Sequence, residues 1–100
     1  MQVYNLEELK EFAVSEFRKK ELVVTDSFKL LLICFEPGQS VPSCVMERST
    51  AFYIIEGQGR VLVSDQENQV TSGSLIIIEP DLTRQIKAKT RLVVLAMQYE

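Results

Sequence analysis

From residue 22 onward, short apolar runs alternate with turn residues at close and even intervals. The runs place strands over 22–25, 28–36, 41–46, 51–56, 59–64, 68–71, 74–79, 83–87 and 91–98, a spacing expected of an antiparallel sandwich or barrel. Turn residues separate them: Asp26-Ser27, Pro37-Gly38, Gly57-Gln58-Gly59, the stretch from Asp65 to Asn68, Ser72-Gly73 and Pro80-Asp81. Before residue 22 the period changes. Leu6, Leu9, Phe12 and Ala13 recur at helical spacing, and Asn5 with Glu8 three places on has the form of a capping box. The pattern therefore predicts a short amphipathic helix over about 6–13, within an extension of residues 1–20 preceding a barrel of residues 22–98.

Four of the runs are apolar on both faces: 30–35 (LLLICF), 51–55 (AFYII), 75–78 (LIII) and 92–97 (LVVLAM). A sheet with one wet face alternates apolar and polar residues, so continuous runs imply that the second face is covered as well. A chain of 100 residues is a single domain with one core and cannot cover all of that surface with its own strands. A homodimer burying the outer face of one sheet is the expectation. The alternative is that the N-terminal segment folds over that face and the chain stays monomeric.

Composition narrows the function classes. With 46% hydrophobic and 25% charged residues the chain has a globular composition. The longest apolar runs reach six residues, far below the roughly 20 that a membrane helix needs. No basic start followed by an apolar stretch precedes the first element, so a cytoplasmic location is expected. A net charge of -3 supplies no electrostatic drive toward nucleic acid. Arg18-Lys19-Lys20 is the one basic cluster; flanked by Glu16 and Glu21, it reads as a solvated strand or helix end. Cys34 and Cys44 lack CxxC spacing, which leaves them as free thiols or, if their Cα atoms fall within about 7 Å, as a disulfide.

The most informative stretch is 38–59, GQSVPSCVMERSTAFYIIEGQG. Gly38 is followed by five residues, Cys44, one residue, Met46, three residues, Thr50, six residues and Gly57. This frame resembles the first motif of the cupin superfamily, in which Gly, five residues, His-x-His, three or four residues, Glu, six residues and Gly carry a metal inside a small β-barrel. An echo of that family's second motif begins at Gly73, with its Pro, Gly and His slots falling on Glu79, Asp81 and Arg84. The resemblance runs over residues 28–98. It implies an all-β, cupin-like double-stranded β-helix, a jelly-roll barrel with a short N-terminal helix. It also implies that Cys44, Met46, Thr50 and Arg84 stand in the four metal-ligand slots. The chain contains no histidine, so the resemblance carries the fold without its metal, and no cofactor is expected.

Residue chemistry then defines the candidates. Cys44 and Met46, two apart, share a strand face; they are core packing, or soft ligands of the kind Cu(I) favours. A guanidinium turned into a barrel is costly unless an anion meets it. Arg84 is therefore expected at the mouth with its head in water, in a salt bridge with Glu47, Glu56, Glu79 or Asp81, or against an acidic ligand. Thr50 offers a hydroxyl, and Phe52 completes a candidate pocket of Cys44, Met46, Thr50, Phe52 and Arg84. Cys44 as a nucleophile, or Glu56 with Glu79 as an acid and base pair, would need tuning that histidine usually supplies.

Three functional classes follow from the residues and the resemblance. The chain is a metal-free module binding or sensing a small, anionic molecule; or a degenerate barrel used as a structural or interaction domain; or a metal-independent isomerase or lyase. An open pocket with Arg84 facing inward favours the first, and a barrel filled by Met46, Phe52 and the isoleucines favours the second.

Overall fold

In a computed structural model describing residues 1–100, nine strands and one short helix form two facing antiparallel sheets. The helix α1 covers Leu6–Leu9. The strands are β1 (Arg18–Val24), β2 (Phe28–Phe35), β3 (Ser40–Val45), β4 (Ser49–Glu56), β5 (Gln58–Val63), β6 (Gln66–Thr71), β7 (Leu75–Ile78), β8 (Thr83–Ala88) and β9 (Leu92–Tyr99). One sheet has the order β1-β2-β9-β4-β7 and the other β3-β8-β5-β6. The inward positions of both, including Phe35, Ile54, Val61, Ile78, Ile86 and Leu92, form one core of 13 buried residues. This is the all-β double-stranded β-helix that the family resemblance implies, built from the antiparallel strands that the spacing predicts.

Three local departures have physical causes. The helix ends at Leu9, because Lys10 turns to extended backbone at φ -60° and ψ 133°. Asn5 caps it as expected, accepting from the Glu7 and Glu8 N–H groups. Strand β1 begins at Arg18 and not at 22, because Arg18–Glu21 pair with Cys34–Leu31 of β2. The ladder prevails there over the weak β preference of a charged stretch. The β5–β6 hairpin closes on Ser64 and Asp65 alone, both at positive φ (46° and 67°), with Val63 opposite Gln66. Two left-handed central residues match the right-handed twist of a hairpin, so β6 starts two residues before its expected position.

The outer face of the five-stranded sheet is covered over only part of its width. Leu9 and Phe12 of the N-terminal segment pack with Leu22 and Ile55 on buried Leu32, Cys34 and Val93. Polar ties hold the segment down. Lys10 reaches Glu56 at 2.6 Å, the Tyr4 hydroxyl donates to the Leu22 carbonyl at 2.8 Å, and Gln39 Nε2 donates to the Ala13 carbonyl at 2.7 Å. Arg91 lies 4.2 Å above the Phe12 ring and pairs with Glu36. Hydrogen bonds from Lys10 to Glu56 and Glu7 raise the ammonium above its ordinary 10.5. Its contribution is complete below that value and disappears only as pH climbs through the raised one. Farther along the same face, Tyr53, Leu75 and Ile77 stay 40%, 57% and 56% exposed. No helix is long and apolar enough to cross a membrane.

Two of the glycines punctuating the strands differ sharply in surroundings. A Cβ on Gly57 (φ 95°) would stand 1.8 Å from the Arg91 carbonyl oxygen, whereas one on Gly73 (φ 92°) would meet nothing within 4 Å. Gly57→Ala is therefore expected to cost more than about 3 kcal/mol, since backbone must move to admit it. Gly73→Ala should cost only the left-handed strain of about 1–2 kcal/mol. Urea unfolding of the two variants beside the parent measures the difference, and equal losses would contradict the packing described at Gly57.

Candidate functional site

Arg84 belongs to the inward face of β8, in phase with buried Ile86 and Ala88. Strand alternation therefore drives a charged side chain into the space where its neighbours place methyl groups. The residue is 3% exposed. Its guanidinium bridges the two sheets, because Nη1 donates to the Oγ1 of Thr50 on β4, itself 1% exposed. Nη2 donates to the carbonyls of Glu79 at 3.2 Å and Leu82 at 3.0 Å, and Nε donates to Leu82 at 3.2 Å. The turn before β8 thus wraps the head group. Asp81 holds that turn in the left-handed conformation (φ 69°) and donates its N–H to the Met46 carbonyl at 2.8 Å. The slot that the second cupin motif gives to glycine is filled here by a residue that tolerates the same backbone.

Arg84 is neither at the mouth in water nor in a salt bridge, which corrects two of the three expectations for it. All four of its hydrogen bonds end on uncharged acceptors. Glu79 contributes its backbone carbonyl and not its carboxylate, and Glu56 is engaged by Lys10. Burial pushes the guanidinium below its ordinary value, with Cys44 and Asp81 pulling the other way. A guanidinium has five N–H donors, so one Nη1–H remains without an acceptor. The Thr50 hydroxyl accepts from Arg84 and keeps its own proton free to donate.

These two side chains sit at the inner end of a cavity of about 230 Å³. Phe52 of β4, Leu31 and Ile33 of β2 and Ile86 of β8 give it apolar walls. Cys44, opposite Arg84 in the β3–β8 ladder, and Met46 just beyond β3 line its outer part. The five residues singled out from the sequence, Cys44, Met46, Thr50, Phe52 and Arg84, therefore border one cavity. Expected core packing does not describe Cys44, which is exposed on an irregular edge strand interrupted by Pro42. Glu56 and Glu79 do not border the cavity, so an acid and base pair acting there is not formed from them.

Sequence reasoning missed Lys19 and Lys29, which line the same cavity together with Gln85 and Gln98. Lys29 lies two residues before Leu31 in β2, a phase that could have revealed it. Lys19 is opposite Ile33 in the β1–β2 ladder, and only the unexpected length of β1 puts it there. Three cations and no carboxylate line the cavity, in a chain whose net charge is -3.

The donor set at the four ligand slots does not suit a metal ion. It comprises a thiol, a thioether, a neutral hydroxyl and a guanidinium, and the hydroxyl is already hydrogen-bonded to the guanidinium. A cation placed among them would face a permanent positive charge at close range.

The cupin-domain family model matches residues 31–97, and the chain belongs to the cupin superfamily. No curated protein matches the sequence. Among solved structures, an RmlC-like cupin from Desulfovibrio desulfuricans superposes with a TM-score of 0.91 at 22% identity, covering 99% of this chain and 96% of that one. A cupin superfamily protein from Desulfitobacterium hafniense DCB-2 gives 0.90 at 19% identity, over 98% and 90% of the two chains. A conserved protein of unknown function from Streptococcus pyogenes gives 0.90 at 13% identity, over 99% and 87%. At these identities the likeness is one of fold.

Both cysteines are free, but their settings differ. Cys34 is buried beneath the N-terminal segment, and burial pushes its thiol above the ordinary 9.0. Iodoacetamide at neutral pH should label Cys44 and spare Cys34 in the folded protein, and label both in urea. Peptide mass spectrometry reads the outcome; labelling of Cys34 at the rate of Cys44 would show that the N-terminal segment does not cover β2 as described.

Proposed function

We propose that this chain is a metal-free cupin that binds a small anionic molecule in the cavity ending at Arg84 and Thr50. The observation that carries this reading is the buried guanidinium with no carboxylate partner. Taking an ion out of water costs several kcal/mol when no opposite charge repays it, and uncharged carbonyls repay only part. A carboxylate entering the cavity would meet the spare Nη1–H, the Thr50 hydroxyl and the field of two lysines. Charge-assisted hydrogen bonds of this kind are about twice as strong as neutral ones. An open, apolar-walled cavity with a few convergent polar groups is the usual form of a small-molecule site. The same openness argues against a filled barrel serving only as a scaffold.

Replacing Arg84 separates binding from folding. Arg84→Met should leave global stability within about 1 kcal/mol of the parent, because the removed charge was itself costly to bury and water can reach the freed carbonyls. The parent should be stabilised by carboxylate anions at constant ionic strength, by about 2.7 kcal/mol at a hundred times Kd, and Arg84→Met should lose that response. Thermal unfolding with carboxylate, phosphate and sulfate salts is the measurement. A parent indifferent to all three, or a variant that responds equally, would refute anion binding at this cavity.

We further infer that the chain pairs with a second copy through the exposed strip of Tyr53, Leu75 and Ile77. The strip lies on β4 and the edge strand β7, beyond the reach of the N-terminal segment. Contiguous apolar surface beside an unpaired edge favours self-association. Sedimentation at micromolar concentration should give twice the chain mass of 11.4 kDa, and Ile77→Lys should return it to the single-chain value. A parent sedimenting as a monomer would overturn this pairing without touching the cavity.

A further inference from the structure

The cations of the cavity are not gathered at one point. Arg84 belongs to β8 of the four-stranded sheet and is 3% exposed, whereas Lys19 and Lys29 belong to β1 and β2 of the facing sheet. The Lys19 residue is exposed, and the Lys29 side chain keeps 34% of its surface in solvent. Leu31 and Ile33 continue inward from Lys29 on the same face of β2, and Phe52 and Ile86 add apolar wall. The cavity therefore has a buried charged end, an apolar middle and a wetter charged end. A ligand with one acid group would satisfy Arg84 and leave two ammonium groups facing its hydrocarbon tail. Lys29 has a share in the exposed Glu21 carboxylate at 3.4 Å, and Lys19 forms no ion pair.

Resting on the reading of this cavity as an anion site, we propose that its ligand is a short dicarboxylate with its two acid groups separated by an apolar chain. The inner carboxylate takes the spare Nη1–H of Arg84 with one oxygen and the Thr50 hydroxyl proton with the other. The hydrocarbon chain lies against Ile33, Phe52 and Ile86. The outer carboxylate meets Lys19 and Lys29, which are flexible enough to accept more than one chain length. The volume limits the chain, because about 230 Å³ falls below the roughly 300–1,000 Å³ of sites for drug-sized ligands. Bulk size selection thus belongs to the walls, and the count of charges to the two ends.

The test compares ligands that differ by one charge at matched length. Isothermal titration of the full chain with succinate, glutarate and adipate, against butyrate, valerate and hexanoate at fixed ionic strength, reads the effect. At least one dicarboxylate should bind about tenfold or more tightly than the monocarboxylate of equal carbon number. In Lys19→Gln/Lys29→Gln, at solvent-accessible positions where the fold is checked by circular dichroism, that advantage should vanish, with the dicarboxylate losing more affinity than the monocarboxylate of equal carbon number. Arg84→Met should weaken both classes. A bound dicarboxylate should also slow iodoacetamide labelling of Cys44 in the parent. Equal binding of mono- and dicarboxylates, both dependent on Arg84, would overturn the dicarboxylate assignment and leave the anion site standing. A dicarboxylate advantage that survives in the double lysine variant would likewise overturn it. Absence of any carboxylate binding, with phosphate or sulfate still stabilising through Arg84, would overturn it too; indifference to every anion would remove both readings.

Discussion

A guanidinium enclosed between two sheets and bonded only to neutral oxygens is the constraint around which this barrel's interior is arranged. Arg84 cannot shed its proton to escape burial. The fold instead supplies the Thr50 hydroxyl from the opposite sheet and two carbonyls from the turn leading into β8. That turn must bend sharply to present both, which is why Asp81 occupies a left-handed backbone and why its N–H is tied to Met46. The side chain, the turn and the end of β3 are consequently one unit. Loss of the guanidinium would remove the charge, while the Asp81 N–H would still tie the turn to Met46.

Substituting the metal slots changes more than the donor list. In a metal-binding cupin the ligand residues converge on a cation, and the site draws in electron-rich groups through it. Here a fixed organic cation occupies one slot and a hydroxyl bonded to it another, so these two slots present positive charge in place of metal-ligating donors. Cys44 and Met46 then become polarizable wall and not ligands. On the proposed reading the same barrel would hold an anion without inner-sphere coordination, and without the Lewis acidity that a metal supplies.

How much of this could be read in the sequence depended on whether local pattern or long-range pairing decided each feature. The alternating runs and glycines located all nine strands, and the family resemblance carried by the spacing from Gly38 through Thr50 to Gly57 implied that Cys44, Met46 and Thr50 face the barrel interior. Three features were hidden. Arg18-Lys19-Lys20 read as a solvated strand or helix end, and the choice of strand, with its start at Arg18, comes from pairing with Leu32–Cys34. The Ser64-Asp65 turn was hidden because neither residue is glycine or asparagine. The solvation of Arg84 was undetermined because its acceptors are mostly backbone carbonyls, and no side-chain identity announces them. Lys29 was legible in principle, through its phase with Leu31 and Ile33, once a pocket was known to open on that face.

The N-terminal segment explains why the runs are apolar on both faces in some strands and remain uncovered in others. Leu32, Cys34 and Val93 need a cover, and Leu9 with Phe12 provides it although only Leu6–Leu9 are helical. The periodic residues remain useful after the helix ends, because an extended segment can still bring Phe12 down beside Leu9. Its polar anchors come from separate places: the Leu22 carbonyl of β1, Glu56 at the end of β4, Gln39 before β3, and Arg91 before β9. Arg91 is also the residue whose carbonyl closes on Gly57, so the strap and the tightest backbone crossing share one loop. The cover therefore reaches only as far as those anchors allow, and the strip on β4 and β7 lies beyond them. An apolar face left open by the chain's own strap, beside an unpaired edge, is where the physical argument for a second copy begins.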